Sequence, residues 1–190
     1  MSIVIVDSGG ANLTSIKNAF EKISSQAVVS IDENIISNAS YVILPGVGSA
    51  QMVMQSLISN NLVNVIKSLT QPVLGICVGM QILFNSSEEQ NCKCLGLIND
   101  DIKKFNLPKD KAVPHMGWNK VIFESEQLLS NYYYFANSYY APITKDTTSI
   151  CEYGIEFSAT VQKDNFFGCQ FHPEKSSNSG IKFIQNFLKY

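Results

Sequence analysis

A cysteine stands between two glycines in Gly75-Ile76-Cys77-Val78-Gly79, where the apolar run Val73–Ile76 gives way to residues with helical spacing. A nucleophile at a strand-to-helix corner flanked by glycines is the thiol form of a nucleophile elbow. The glycines permit a tight, strained turn and let a substrate approach the backbone. At the start of a helix the macrodipole favours the thiolate. Far along the chain, Phe171-His172-Pro173-Glu174 supplies an imidazole and a carboxylate two residues apart. Pro173 fixes the backbone between them, so both side chains can face one way. In that arrangement His172 serves as general base and acid, and Glu174 holds the ring and stabilises the imidazolium. Pro45-Gly46-Val47-Gly48 either ends a strand as a simple turn or offers bare backbone N–H groups. With the N–H of Val78 these would form an oxyanion hole.

Residues so far apart in the chain meet only if several strands end at one rim. Ser2–Val6, Ala27–Ile31, Tyr41–Leu44 and Pro72–Ile76 read as buried strands. Between and after them, helical spacing is predicted over 12–23, 50–57, 62–69 and 78–84. Alternation of this kind implies a parallel sheet with right-handed crossovers. Ligands of such sheets bind at the carboxyl ends of the strands, where the loops 7–12, 45–50 and 75–79 gather. The later candidates, Trp118–Phe123, Tyr132–Phe135, Thr148–Tyr153, Ser158–Gln162 and Phe166–Gln170, are short and separated by turn residues. They are expected to extend the sheet in antiparallel fashion, and 180–188 closes the chain as a helix.

Composition excludes several classes. With 45% hydrophobic and 16% charged residues the chain is globular, and its 190 residues suit one well-buried domain. A net charge of −2 argues against nucleic acid or an anionic membrane as the main partner. Ile3–Val6 is too short for a signal segment, and no run approaches membrane-spanning length. Five cysteines at irregular spacing suggest a reducing cytoplasm and free thiols. Cys92 and Cys94 lack further ligands nearby for zinc, so no metal is expected. Ser8-Gly9-Gly10-Ala11-Asn12 has no lysine of a triphosphate loop and reads as a turn or a rim loop. Within His115-Met116-Gly117-Trp118-Asn119, both a core role and an interface anchor are open.

Together, Gly75–Gln81 and Gln170–Ser176 (Gln-Phe-His-Pro-Glu-Lys-Ser) resemble the triad-type (class I) glutamine amidotransferases. Leu44–Ala50, Pro114–Asn119 and Ser138-Tyr139-Tyr140 are similar to the glutaminase subunits of imidazole glycerol phosphate synthase. The resemblance spans residues 1–190 as one amidotransferase domain. It implies a single-domain, three-layer α/β/α fold whose mostly parallel central sheet has an antiparallel extension. It implies that Cys77 attacks the carboxamide of L-glutamine, with His172 and Glu174 completing the triad. Val78, Gly46 and Val47 would hold the oxyanion. Gln81, Glu89, Ser138 and Tyr139 would contact the substrate, Glu89 at its ammonium. Ammonia would pass to a (β/α)8-barrel cyclase subunit in a heterodimer, with Asn12 and Trp118 near the interface and no cofactor. The chain departs from the family pattern at Ser8–Ala11, where an aromatic residue and a Gly-x-Gly-Asn run are usual, and at Asn137, where histidine is usual. These departures keep open a paralogue that feeds ammonia to another synthase, such as one of surface amino sugars. A cysteine hydrolase or peptidase of the same architecture, and a silent scaffold, are the competing classes.

Overall fold

The computed structural model describes residues 1–9, 12–23, 26–46, 48–109, 111–123 and 130–190. The chain runs β1 (Ile3–Val6), α1 (Leu13–Glu21), β2 (Ala27–Ser30), α2 (Glu33–Ser37), β3 (Tyr41–Leu44), α3 (Ala50–Ser59), α4 (Leu62–Ser68) and β4 (Val73–Ile76). It continues with α5 (Val78–Gln81), β5 (Phe84–Ser87), β6 (Cys92–Lys93), β7 (Ile98–Lys104), β8 (His115–Phe123) and β9 (Asn131–Asn137). β10 (Tyr139–Tyr140), β11 (Thr147–Glu152), β12 (Glu156–Lys163), β13 (Phe166–Cys169) and α6 (Ser177–Phe187) complete it.

Strands β1 and β4 are buried at every residue, as uninterrupted apolar runs covered on both faces should be. The main sheet has nine strands in the order β2-β1-β3-β4-β13-β12-β11-β8-β9. Its first five strands are parallel, and β12, β11, β8 and β9 continue it antiparallel. Helices α3, α4 and α5 pack together, while α1 and α6 meet at a 3-10 turn, Pro173–Lys175. The result is the expected three-layer α/β/α architecture. A stack of Tyr133, Phe135, Phe157, Phe171 and Phe183 fills the space beneath the antiparallel half.

Three elements differ from the sequence expectation. The helix after Cys77 ends at Gln81, and Phe84 already begins a strand. The segment Phe84–Ser87 runs parallel to β7 in a separate four-stranded sheet, β10-β7-β5-β6, which periodicity did not signal. Helix α2 was also unforeseen. Its start is fixed by Asp32, whose carboxylate accepts the N–H groups of Asn34 (2.8 Å) and Ile35 (3.2 Å).

Candidate active site

Register explains how distant residues converge. β13 lies beside β4 in parallel, pairing Cys169 with Ile76, and the N–H of Cys77 donates to the Cys169 carbonyl at 2.8 Å. The residues that follow each strand therefore leave the sheet side by side. On one path the chain turns at Cys77, with φ 53° and ψ −110°. A β-carbon is strained in that region, at a cost of about 1–3 kcal/mol held by the surrounding packing. Gly79 supplies that packing: a Cβ there would sit 1.8 Å from the Leu44 carbonyl oxygen. The end of β3 is thereby pressed onto the elbow, and Gly46 in turn lies against Val78 and Gly79.

On the other path, His172 donates its N–H to Tyr134 O (2.8 Å), and its own carbonyl accepts the Ser176 hydroxyl (2.7 Å). Ser176 Oγ also accepts the Tyr134 N–H at 2.9 Å. This clamp fixes the imidazole. Its Nδ1 lies 2.8 Å from Glu174 Oε1, with both side chains almost wholly buried. Cys77 lies close enough for its sulfur to favour the charged form of the ring. Burial alone would push His172 down, but hydrogen bonds to Cys77 and Glu174, together with their charges, outweigh it and raise it to about 10. The ring is thus held as an imidazolium between a sulfur and a carboxylate. That arrangement can deliver a nucleophilic sulfur and then a proton to a leaving group.

Each other expected site residue that the structure describes has a definite place. Val78 is the first residue of α5, and its N–H has no acceptor among the described residues. Gly46 is buried beside it, whereas Val47 lies outside the described residues, as do Gly10 and Ala11. Gln81 is buried and donates to Tyr139 O at 3.1 Å, which ties α5 to the segment Ser138–Tyr140. Glu89 is half-buried, and its Oε2 accepts the N–H of Ala50 at 2.8 Å, at the start of α3. Tyr139 is half-buried; burial raises its phenol, and the charges of Glu89 and Glu88 add to this. Asn12 reaches inward: its Nδ2 is 3.4 Å from Glu174 Oε1. Trp118 is 52% exposed and lies edge-on to Tyr134.

Strand alternation separates the two readings of 115–119. His115 points into the core, stacked on Tyr153 (3.9 Å) and Phe135 (4.8 Å), while Met116 and Trp118 face outward. No cluster of three potential metal ligands occurs among the described residues. Sequence reasoning missed Ser8, Asn137 and Gln170 as site residues. Ser8 donates its hydroxyl to Pro45 O at 3.1 Å, just before Gly46. Asn137 donates to Tyr139 O at 2.9 Å. In the sequence these two stand out only as departures from a pattern, and Gln170 only as part of the motif around His172.

The profile of the family described as "Glutamine amidotransferase class-I" matches residues 4–190. Imidazole glycerol phosphate synthase subunit HisH of Shewanella sediminis is 46% identical, over 98% of this chain and 90% of that protein. The protein of the same name from Escherichia coli K12 is 44% identical over the whole of both chains. Among solved structures, a glutamine amidotransferase superposes with a TM-score of 0.78 over 98% of this chain and 97% of its own, at 13% identity. A glutamine amidotransferase from Thermotoga maritima gives 0.63 over 100% of this chain and 83% of its own, at 14% identity. At such identities these two structures speak for the fold alone.

Proposed function

This chain belongs to the class I glutamine amidotransferases, and from that membership we propose how its clustered residues work. It is the glutamine-hydrolysing subunit of an imidazole glycerol phosphate synthase and acts in histidine biosynthesis, with a cyclase as partner. In our reading Cys77 Sγ attacks the side-chain carboxamide carbon of glutamine. The carbonyl electron pair moves onto oxygen, where the N–H of Val78 and one from the Gly46–Val47 step receive it. His172 gives its proton to the departing nitrogen, the C–N bond breaks, and ammonia leaves a glutamyl thioester. Water then adds to the thioester as His172 takes one of its protons, and collapse breaks the C–S bond, returning the thiolate beside the imidazolium and releasing glutamate, whose carboxyl proton passes to solvent. Glu174 keeps Nδ1 protonated and the ring aligned throughout. Gln81, Glu89, Ser138 and Tyr139 line the place of the substrate backbone.

Ammonia released into water is protonated and loses its lone pair, so direct transfer to a second site is favoured. We take the partner to be a (β/α)8-barrel cyclase in a heterodimer, docked over the exposed Met116 and Trp118. Lys175 lies over the Tyr134 ring (5.8 Å), so that face adjoins the triad turn. Five free thiols fit a reducing cytoplasm, and no helix among the described residues is long and apolar enough to cross a membrane.

The observation that carries this reading is the imidazole held between Glu174, at 2.8 Å, and the strained Cys77. Cys77→Ala in the complex with the cyclase tests it. Glutamine-dependent synthesis should fall by at least about 10³-fold, with synthesis from added ammonia retained. Unchanged glutamine-dependent activity would refute the nucleophile, and loss of both activities would refute the two-site arrangement.

A further inference from the structure

Gln170 is fully buried, and none of the steps above uses it. It continues the register that pairs Cys169 with Ile76, which sets it beside Cys77. Its backbone is anchored by an N–H bond to Ala159 O at 2.8 Å. From there its side chain spans two partners. Nε2 lies 3.6 Å from Cys77 Sγ, and Oε1 lies 2.9 Å from Gln81 Nε2. The same Gln81 nitrogen lies 3.1 Å from Tyr139 O, which Asn137 Nδ2 also approaches at 2.9 Å.

The sense of these bonds follows from one obligate acceptor. A backbone carbonyl can only accept, so Gln81 must turn its amino group toward Tyr139. That group then also donates to Gln170, which must present its oxygen there. The amino end of Gln170 is left facing the sulfur. Reversing Gln81 would set oxygen against oxygen, and reversing Gln170 would set one amino group against another, in a buried site where an unmade hydrogen bond is costly. An N–H directed at sulfur favours the thiolate over the thiol. Both hydrogens of Gln81 Nε2 are occupied as well, so only its oxygen is free to meet a substrate donor. Such an acceptor suits a carboxamide or an ammonium group and disfavours a carboxylate.

We propose that Gln170 is a positioning residue: locked by Gln81 and the Tyr139 carbonyl, its amide donates to Cys77 Sγ, steadies the attacking thiolate and fixes which end of Gln81 the glutamine meets. The titratable groups that act with Cys77 are His172, just before the Pro173–Lys175 turn and itself backed by Glu174, and Cys169 from β13, whose thiol burial pushes far up. Gln170 is the neutral donor among them. This role rests on Cys77 being the nucleophile, so the experiment separates the two.

The full-length chain in complex with the cyclase is treated with iodoacetamide across a pH series, and carbamidomethylation of Cys77 is read by peptide mass spectrometry. In wild type, glutamine should protect Cys77; absence of protection would overturn the nucleophile assignment before any variant is considered. Gln170→Met keeps the volume and loses both donor and acceptor. The pH of half-maximal alkylation should rise by about 0.5–1 unit, and KM for glutamine by about three- to tenfold. Gln170→Glu keeps an oxygen toward Gln81 but sets another against the sulfur. Its alkylation midpoint should rise by more than about 1 unit, with KM within about twofold of wild type. Gln170→Asn withdraws the N–H from sulfur without changing the chemistry of the group, and decides the matter if the other two fail to fold. A merely structural Gln170 would lower the fraction of reactive sites and leave midpoint and KM unchanged. That result in any folded variant would overturn the proposal.

Discussion

Replacing Gly180 by alanine should weaken this protein, although Gly→Ala inside a helix ordinarily stabilises by about 0.5–1 kcal/mol. The fourth residue of α6 lies directly beneath the turn that carries the triad carboxylate. A Cβ on Gly180 would lie 1.8 Å from Pro173 O and 2.7 Å from Pro173 C, where real Cβ contacts do not fall below 3.0 Å. Helix or turn must therefore move by roughly the difference, about 1.2 Å, and because the obstacle is backbone no rotamer relieves it. Movement of the turn strains the Ser176 N–H bond to Pro173 O (3.1 Å) and the Ser176 hydroxyl bond to His172 O. If the whole shift reached Glu174, its 2.8 Å bond to His172 would open to about 4 Å and cease to be a hydrogen bond. Overpacking of this kind costs about 1–3 kcal/mol, and a displacement near 1 Å costs about 10²-fold in turnover. Urea unfolding gives the first figure and glutamine-dependent synthesis in the complex the second, with ammonia-dependent synthesis as the control for docking. A variant at least as stable as wild type, with undiminished glutamine turnover, would refute the reasoning.

The chain has only two histidines, and their environments push them in opposite directions. For His172, burial lowers the ring, but the bonds to Cys77 and Glu174 outweigh it and raise it to about 10. Its contribution to folding is full below 6.5 and fades as pH climbs through about 10. The stability gap between wild type and His172→Ala in urea should narrow over that window; a constant or widening gap would contradict it. For His115, burial is the larger cause and Lys111 the smaller, and together they lower it to about 4. Its contribution is present above 6.5 and disappears as pH falls toward 4, by up to about 3 kcal/mol. Acid unfolding of His115→Phe should lack that component, and an unchanged acid limb would exclude it. Ser8→Ala removes the hydroxyl from Pro45 O and should cost about 1 kcal/mol while lowering glutamine turnover. Its Cys77 alkylation rate should match wild type; a slowed alkylation would show that Ser8 acts on the elbow and not on the Pro45–Gly46 step.

The parallel half of the sheet was legible because β1, β3 and β4 are short apolar runs bounded by Asp7, Pro45 and Pro72, a pattern that strands buried on both faces produce. The meeting of Cys77, His172 and Glu174 in space was legible because the turn chemistry around them is as specific as the side chains. The helix after the elbow was overread: a mostly apolar run, Val78 through Phe84 with Gln81 as its one polar residue, is buried throughout, and periodicity cannot tell a buried helix from a buried turn and strand. The second sheet was invisible for a different reason. Strand β7, Ile-Asn-Asp-Asp-Ile-Lys-Lys, spaces its buried isoleucines four apart, and its partner β5 starts only a few residues after the elbow helix. Its existence depends on tertiary pairing and not on local preference.

A motif lists the atoms that react, and the structure adds what holds those atoms still. The elbow, the Pro45–Gly46 step and the His-Pro-Glu turn follow three adjacent parallel strands, β4, β3 and β13. Close contacts that leave no room for a side chain hold them in place: Gly79 on Leu44 and Gly46 on Val78 and Gly79 join the elbow to the end of β3, and Gly180 of α6 supports the turn at Pro173. Steric fit of this kind has no polar partner to advertise it, so in a sequence it is only another glycine. The polar ties are equally quiet. Ser8 to Pro45, Asn137 to Tyr139 and Gln170 to Cys77 each hold an atom at the rim through a residue whose type alone suggests a loop or a strand end. The ties of Ser8 and Asn137 both use a hydroxyl or amide to hold a backbone carbonyl at the rim. The Ser8 and Asn137 ties brace the rim through backbone carbonyls and not through the reacting side chains, so the motif around Cys77 and His172 gives no sign of them.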